Sequence, residues 1–154
     1  MQNSGFEAKS DRCGELLAGS RALVDPATYS LVSLTHDQFS SLISDPARSP
    51  SGRSPYLIFS DKFEVTLVLE QADLDRVREG SEAVRVMSGY RLLTFDAELP
   101  PDLVGFLARV SGILADAGVP VIALSAFSRD HLLIRQGDLP AALRALGPFV
   151  AELC

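Results

Sequence analysis

The stretch Leu103-Val104-Gly105-Phe106-Leu107-Ala108-Arg109-Val110-Ser111-Gly112-Ile113-Leu114-Ala115-Asp116-Ala117-Gly118 decides the fold. Leu103, Phe106, Leu107, Val110, Ile113, Leu114 and Ala117 recur at the three- and four-residue spacing that puts side chains on one helical face. Pro101 and Asp102 stand where a helix start takes a preset φ and a capping side chain. Gly118 stands where a left-handed exit needs no Cβ. Asp102 is therefore read first as the cap of this helix. Gly105 then falls inside the first turn, where glycine costs ~1 kcal/mol relative to alanine, so close approach by a strand, a chain or a ligand is a motive for it.

Working outward, Tyr90 to Phe95 reads as a strand before the helix, and the mostly apolar run Val119 to Phe127 as a strand after it. Ser128-Arg129-Asp130 turns the chain, His131 to Arg135 returns it, and Asp138 caps a last helix carrying Leu139, Ala142, Leu143 and Leu146. The order is strand, helix, strand, strand, helix, from Tyr90 to Leu153.

A weaker version precedes it. Tyr29 to Leu34 alternates as a strand, and Asp37 is placed to cap a short helix through Phe39, Leu42 and Ile43. Pro46, Pro50, Gly52 and Pro55 stop that helix, making residues 45–54 an exposed loop. Tyr56 to Phe59 and Phe63 to Leu69 form a strand pair, and a short helix from Asp73 carries Leu74 and Val77 until Gly80-Ser81 ends it before a connecting segment. A shift of 65 residues lays Leu67-Val68-Leu69-Glu70-Gln71-Ala72-Asp73-Leu74 on Leu132-Leu133-Ile134-Arg135-Gln136-Gly137-Asp138-Leu139, Asp37 on Asp102 and Ser60 on Ser125, without a gap. The fold class expected is α+β, two tandem ferredoxin-like βαββα units with helices on one face of antiparallel sheets. The divisions expected are a weakly ordered terminus over residues 1–14, a decayed unit over 15–83 and a better-kept one over 84–154; Leu16, Leu17 and Leu23 make a short helical patch near the start. Exposed sheet edges or a bare face favour a homodimer.

Composition narrows the function. At 154 residues and 47% hydrophobic the chain can bury a core, while 14 Lys+Arg against 20 Asp+Glu give a net charge of −6 and no basic stripe for nucleic acid or a membrane surface. No apolar run reaches the roughly 18 residues of a membrane span and the N-terminus has no signal-like apolar core, so a cytoplasmic protein is expected. Cys13 and Cys154 show no CxxC or Cys/His spacing, and His36 and His131 lie far apart, so neither a metal nor a cofactor is expected. No nucleophile motif or phosphate-binding glycine loop surrounds any serine, and Asp130-His131 lacks a third group with a role, so the chain is read as not an enzyme.

The segments Pro101 to Ala108, Ile113 to Val121 and Ser125 to Ile134 resemble the C-terminal half of ACT-domain proteins, and more closely small bacterial tandem-ACT proteins related to the CASTOR-type amino-acid sensors. The strands at Tyr29 to Val32 and Val65 to Leu69 resemble their N-terminal half. What this resemblance implies is a regulatory or sensor protein that binds an amino acid or similar small effector at an interface between ACT units. It implies ligand contact from Asp102, Leu103, Val104, Gly105, Ser125, Ala126, Phe127 and Asp130. Backbone N–H groups at a helix start suit a carboxylate, and Asp130 suits an ammonium. Ser40 stands where the first unit would offer the equivalent glycine, so that unit is expected to lack a site of its own. The alternative is a ligand-free module for dimerisation or protein interaction.

Overall fold

The computed structural model describes residues 4–50, 55–79 and 85–154. The chain divides into two compact units that do not follow chain order: an outer unit of Met1–Pro26 with Arg91–Cys154, and an inner unit, Ala27–Tyr90, which lies between those segments in the sequence.

The inner unit contains β2 (Tyr29–Leu34), α2 (His36–Ile43), β3 (Leu57–Ser60), β4 (Val65–Glu70), a 3-10 turn at Gln71–Asp73, α3 (Leu74–Arg78) and the first half of the long strand β5 (Arg85–Asp96). Its strand order is β3-β4-β2-β5, antiparallel throughout. Alternation sends Val32, Leu34, Val65, Leu67 and Leu69 to one face, where they meet Leu42, Leu74 and Val77 of the helices. Thr35, not Asp37, caps α2: its hydroxyl accepts from the Gln38 amide while the Gln38 side chain accepts from the Thr35 amide. The capping-box pattern Thr-x-x-Gln outcompetes Asp37, which lies in the first turn. The segment expected to be a connection is strand from Arg85 onward. Between the pairs Leu31↔Met87 and Tyr29↔Tyr90, β5 has one more residue than β2. Gly89, at φ +84, sits within that bulge. Ser88 beside it shares a 2.9 Å hydrogen bond with the buried Ser30 hydroxyl, which also bonds Gln71 Oε1 at 2.5 Å. The expected stop at Gly80-Ser81 and part of the expected loop 45–54 lie outside the described residues.

The outer unit contains α1 (Ser4–Gly19), β1 (Arg21–Val24), the second half of β5, α4 (Phe106–Asp116), β6 (Val121–Ser125), β7 (Asp130–Arg135), α5 (Leu139–Leu146) and the short β8 (Glu152–Leu153). The strand order is β6-β7-β5-β1-β8. Leu16 and Leu17 are helical as expected, but Leu23 belongs to β1, which pairs antiparallel with β5. β1 thus takes the place beside the first strand that closes a ferredoxin-like sheet, a role the first half of β5 takes in the inner unit. The core joins Leu17, Ala22, Leu93, Phe95, Phe106, Val110, Leu114, Leu132, Ile134 and Leu146, with the Phe95 and Phe106 rings edge to face at 5.4 Å. Each fully buried leucine contributes about 1.5–3 kcal/mol of apolar transfer. α4 ends in a Schellman pair, Val119 amide to Leu114 carbonyl and Gly118 amide to Ala115 carbonyl, both 2.9 Å, with Gly118 at φ +69.

The 65-residue spacing reappears in the element limits. β4 Val65–Glu70 corresponds to β7 Asp130–Arg135, Ser60 and Ser125 end β3 and β6, and Leu74 and Leu139 begin α3 and α5. The shorter first-unit helix is also present, α2 having 8 residues against 11 in α4.

Candidate functional site

Two loops of the outer unit carry the residues singled out in the sequence, and one backbone bond joins them: the Leu99 amide donates to the Ser128 carbonyl at 2.9 Å. The first loop runs from Asp96 to Gly105. It turns at Pro100, whose carbonyl accepts from the Leu103 amide at 2.9 Å, and Leu103 packs on the core. α4 therefore begins at Phe106, three residues later than the periodicity of Leu103 suggests, because the prolines hold Leu103 in a turn that still points it at the core.

Two readings are corrected by this geometry. Asp102 does not cap the helix; its carboxylate is exposed and pairs with Arg12 of α1 at 3.5 Å. Gly105 is not inside the helix but is its N-cap, at φ +92 and ψ 3, with no side-chain cap bond. The Gly105 carbonyl accepts the first helical bond from Arg109 at 2.9 Å. A Cβ at Gly105 would meet nothing within 4 Å, so conformation and not close approach requires glycine here. Val104 beside it is 58% exposed. Ser40 lies inside α2 and Gly105 before α4, so the two positions are not structural equivalents.

The second loop is the β6–β7 hairpin. Ser125 Oγ donates to Asp130 Oδ1 at 2.7 Å, the Ala126 amide donates to the Arg129 carbonyl at 2.9 Å, and Phe127 at the tip is fully exposed. All eight predicted residues are thus on these two joined loops, though Leu103 is spent on packing and the carboxylate of Asp102 on Arg12.

Beside the loops, on the sheet face away from the helices, His131 Nδ1 lies 2.8 Å from Thr94 Oγ1. Burial holds the imidazole below its usual pKa and Arg129 adds to this, against an opposing pull from Asp130. Asp96 accepts from Arg21 at 2.5 Å and lies 3.5 Å from Arg129. The Arg21 hydrogen bond is the main reason its carboxyl is held below the ordinary range.

A groove of about 450 Å³ opens between α1 and the first loop, lined by Arg12, Glu15, Leu16, Gly19, Asp96, Ala97, Glu98 and Pro100. Sequence reasoning missed it. The signal was available in the spacing of Arg12, Glu15, Leu16 and Gly19, which is one face of a helix. Among the described residues, no group of histidine, cysteine and carboxylate side chains could hold a metal ion, and no helix is long and apolar enough to cross a membrane.

Comparison with known proteins places this architecture. Residues 85–147 match the family model of the ACT domain, a span from the start of β5 to the end of α5. Protein Atu0741 from Agobacterium tumefaciens has a similar structure, with a TM-score of 0.67 and 23% identity over 88% of this chain and 92% of that one. So has VC0802 from Vibrio cholerae, described as a protein of unknown function and possible transport protein, with a TM-score of 0.65 and 20% identity over 92% and 98%. The ligand-free regulatory subunit of aspartate kinase from Thermus thermophilus is similar at a TM-score of 0.67 and 11% identity, over 86% and 97%. No curated protein matches the sequence. The class is a mixed α+β protein with an ACT-like fold. Within it, the segment that matches the ACT domain carries both joined loops.

Proposed function

We propose that the chain is a non-catalytic regulatory protein of two tandem ACT modules, related to the CASTOR-type sensors, that works as a cytoplasmic homodimer. Its effector is an amino acid or similar small molecule, taken up where the loops around Gly105 and Asp130 meet a second copy. The observation that carries this reading is the Leu99–Ser128 bond, which joins the loop before α4 to the β6–β7 hairpin within the ACT-matched segment. The 11-residue helix α4 has no side-chain cap, so its first N–H groups are available to a carboxylate, while Asp130, held by Ser125, offers an oxygen to an ammonium. The 65-residue spacing of element ends supports the tandem arrangement, with the inner unit as the module that has lost its site. A thermal-shift screen against each amino acid tests the reading, followed by Asp130→Ala, which should remove the response at this site and leave the dimer intact.

A second reading has its own support. In the inner unit Leu57, Val68, Leu31 and Met87 form one row across all four strands on the face away from the helices, and Phe59 and Met87 there are 60% and 48% exposed. A ligand-free interaction module would use that face. It would show assembly unchanged by any amino acid and unaffected by Asp130→Ala.

A further inference from the structure

We infer that the groove between α1 and the loop after β5 is a second binding site for a small zwitterion, an α-amino acid or close analogue, sharing that loop with the site proposed at Gly105 and Asp130 but not using Gly105, Asp130 or the hairpin. α1 turns four residues toward it, Arg12, Glu15, Leu16 and Gly19, and the facing wall is Asp96, Ala97, Glu98 and Pro100. The volume of about 450 Å³ lies in the range of small-molecule sites.

The charges are of both signs and unequally engaged. Asp96 is held by Arg21 and Arg129, so it serves structure. Glu15 and Glu98 take part in no ion pair or side-chain hydrogen bond among the described residues, and both are exposed to the groove's solvent. Among the described residues Arg12 pairs with Asp102 alone, at 3.5 Å, with the two side chains 52% and 77% exposed, a pair of little strength that a bidentate carboxylate can displace. The lining thus offers one guanidinium to a ligand carboxylate, two unengaged carboxylates to an ammonium, and Leu16, Ala97 and Pro100 to a short carbon frame.

Gly19 lines the groove without a side chain. A Cβ there would meet no atom within 4 Å, and its φ is not in the left-handed region, so a larger residue is tolerated at this lining position and a leucine adds bulk to the groove's wall.

The inference rests on the proposed ligand class and shares the first loop with the proposed site, but it does not use Asp130 or the hairpin, and the test separates the two sites. Isothermal titration of the full chain with each amino acid is repeated on Gly19→Leu, Arg12→Gln, Asp102→Asn and Asp130→Ala. The groove predicts binding that survives Asp130→Ala, is lost in Gly19→Leu and weakens about tenfold or more in Arg12→Gln. It also predicts tightening in Asp102→Asn, which frees Arg12; contact of the ligand with Asp102 would weaken it instead. Binding lost in Asp130→Ala and unchanged in Gly19→Leu and Arg12→Gln overturns the groove and leaves the loop site standing. Absence of binding by any amino acid overturns both.

Discussion

The amide of Leu99 donates to the carbonyl of Ser128 at 2.9 Å, so the loop that leads into α4 and the hairpin that leads into β7 are joined through the backbone. Residues far apart in the chain, Gly105 and Asp130, are held to a common frame by that bond, with Leu103 anchoring the first loop to the core.

Gly105 sets the direction of that frame. At φ +92 an L side chain is strained even where space is open, so Gly105→Ala should cost about 1–2 kcal/mol. Urea unfolding should show a lower midpoint with an unchanged slope.

The core and the hairpin tip should respond in opposite ways to truncation. Leu114 is fully buried and packs with Val110, Leu132 and Leu146, so Leu114→Ala should destabilise by about 2–5 kcal/mol. Phe127 is fully exposed, and Phe127→Ala should leave stability within about 0.5 kcal/mol while changing whatever the tip contacts. Equal losses in a denaturation series would contradict the placement of both residues.

Acid should weaken the fold through two groups. Burial lowers the His131 pKa in the folded chain, so the unfolded chain binds a proton first as pH drops below its ordinary value near 6.5. The contribution of His131 is complete above that value and is lost as pH falls through its lower folded pKa. Asp96, held down chiefly by Arg21, adds a second loss below about pH 4. His131→Gln should flatten the first limb of a stability-against-pH curve and Arg21→Gln the second. An imidazole titrating at or above 6.5 by NMR would contradict the first.

The inner unit should be sensitive at its helix start. Thr35→Ala removes the hydroxyl that accepts from Gln38 and should cost about 1 kcal/mol, while Asp37→Ala, outside the cap, should cost less. The reverse order in thermal unfolding would mean that α2 begins elsewhere.

Much of this was legible in the sequence. The strands β4 and β7 and the starts of α3 and α5 fell where alternation and the 65-residue shift put them, because apolar periodicity and burial agree there. The starts of α2 and α4 did not, for a local reason. Asp37 and Asp102 are good capping residues, but Thr35 has Gln38 to complete a capping box, and the turn at Pro100 delays α4 until Gly105. The early part of β5 was hidden because it follows Gly80-Ser81 as an apparent connection and its pairing is interrupted by the bulge at Gly89, and β1 was hidden because its partner lies more than sixty residues away. The spacing of Arg12, Glu15, Leu16 and Gly19 marks one helix face, but such a face becomes the wall of a groove only once the opposite wall, Asp96 to Pro100, is in place.

The central claim is that the chain senses a small amino-acid-like effector, and thermal unfolding of the full-length protein in the presence of each amino acid tests it most directly. At a concentration 100 times Kd, one binder should stabilise the fold by about 2.7 kcal/mol, enough to raise Tm by several degrees. No shift with any amino acid, together with a crystal structure in which both the loops and the groove are sealed by the chain's own side chains, would contradict it.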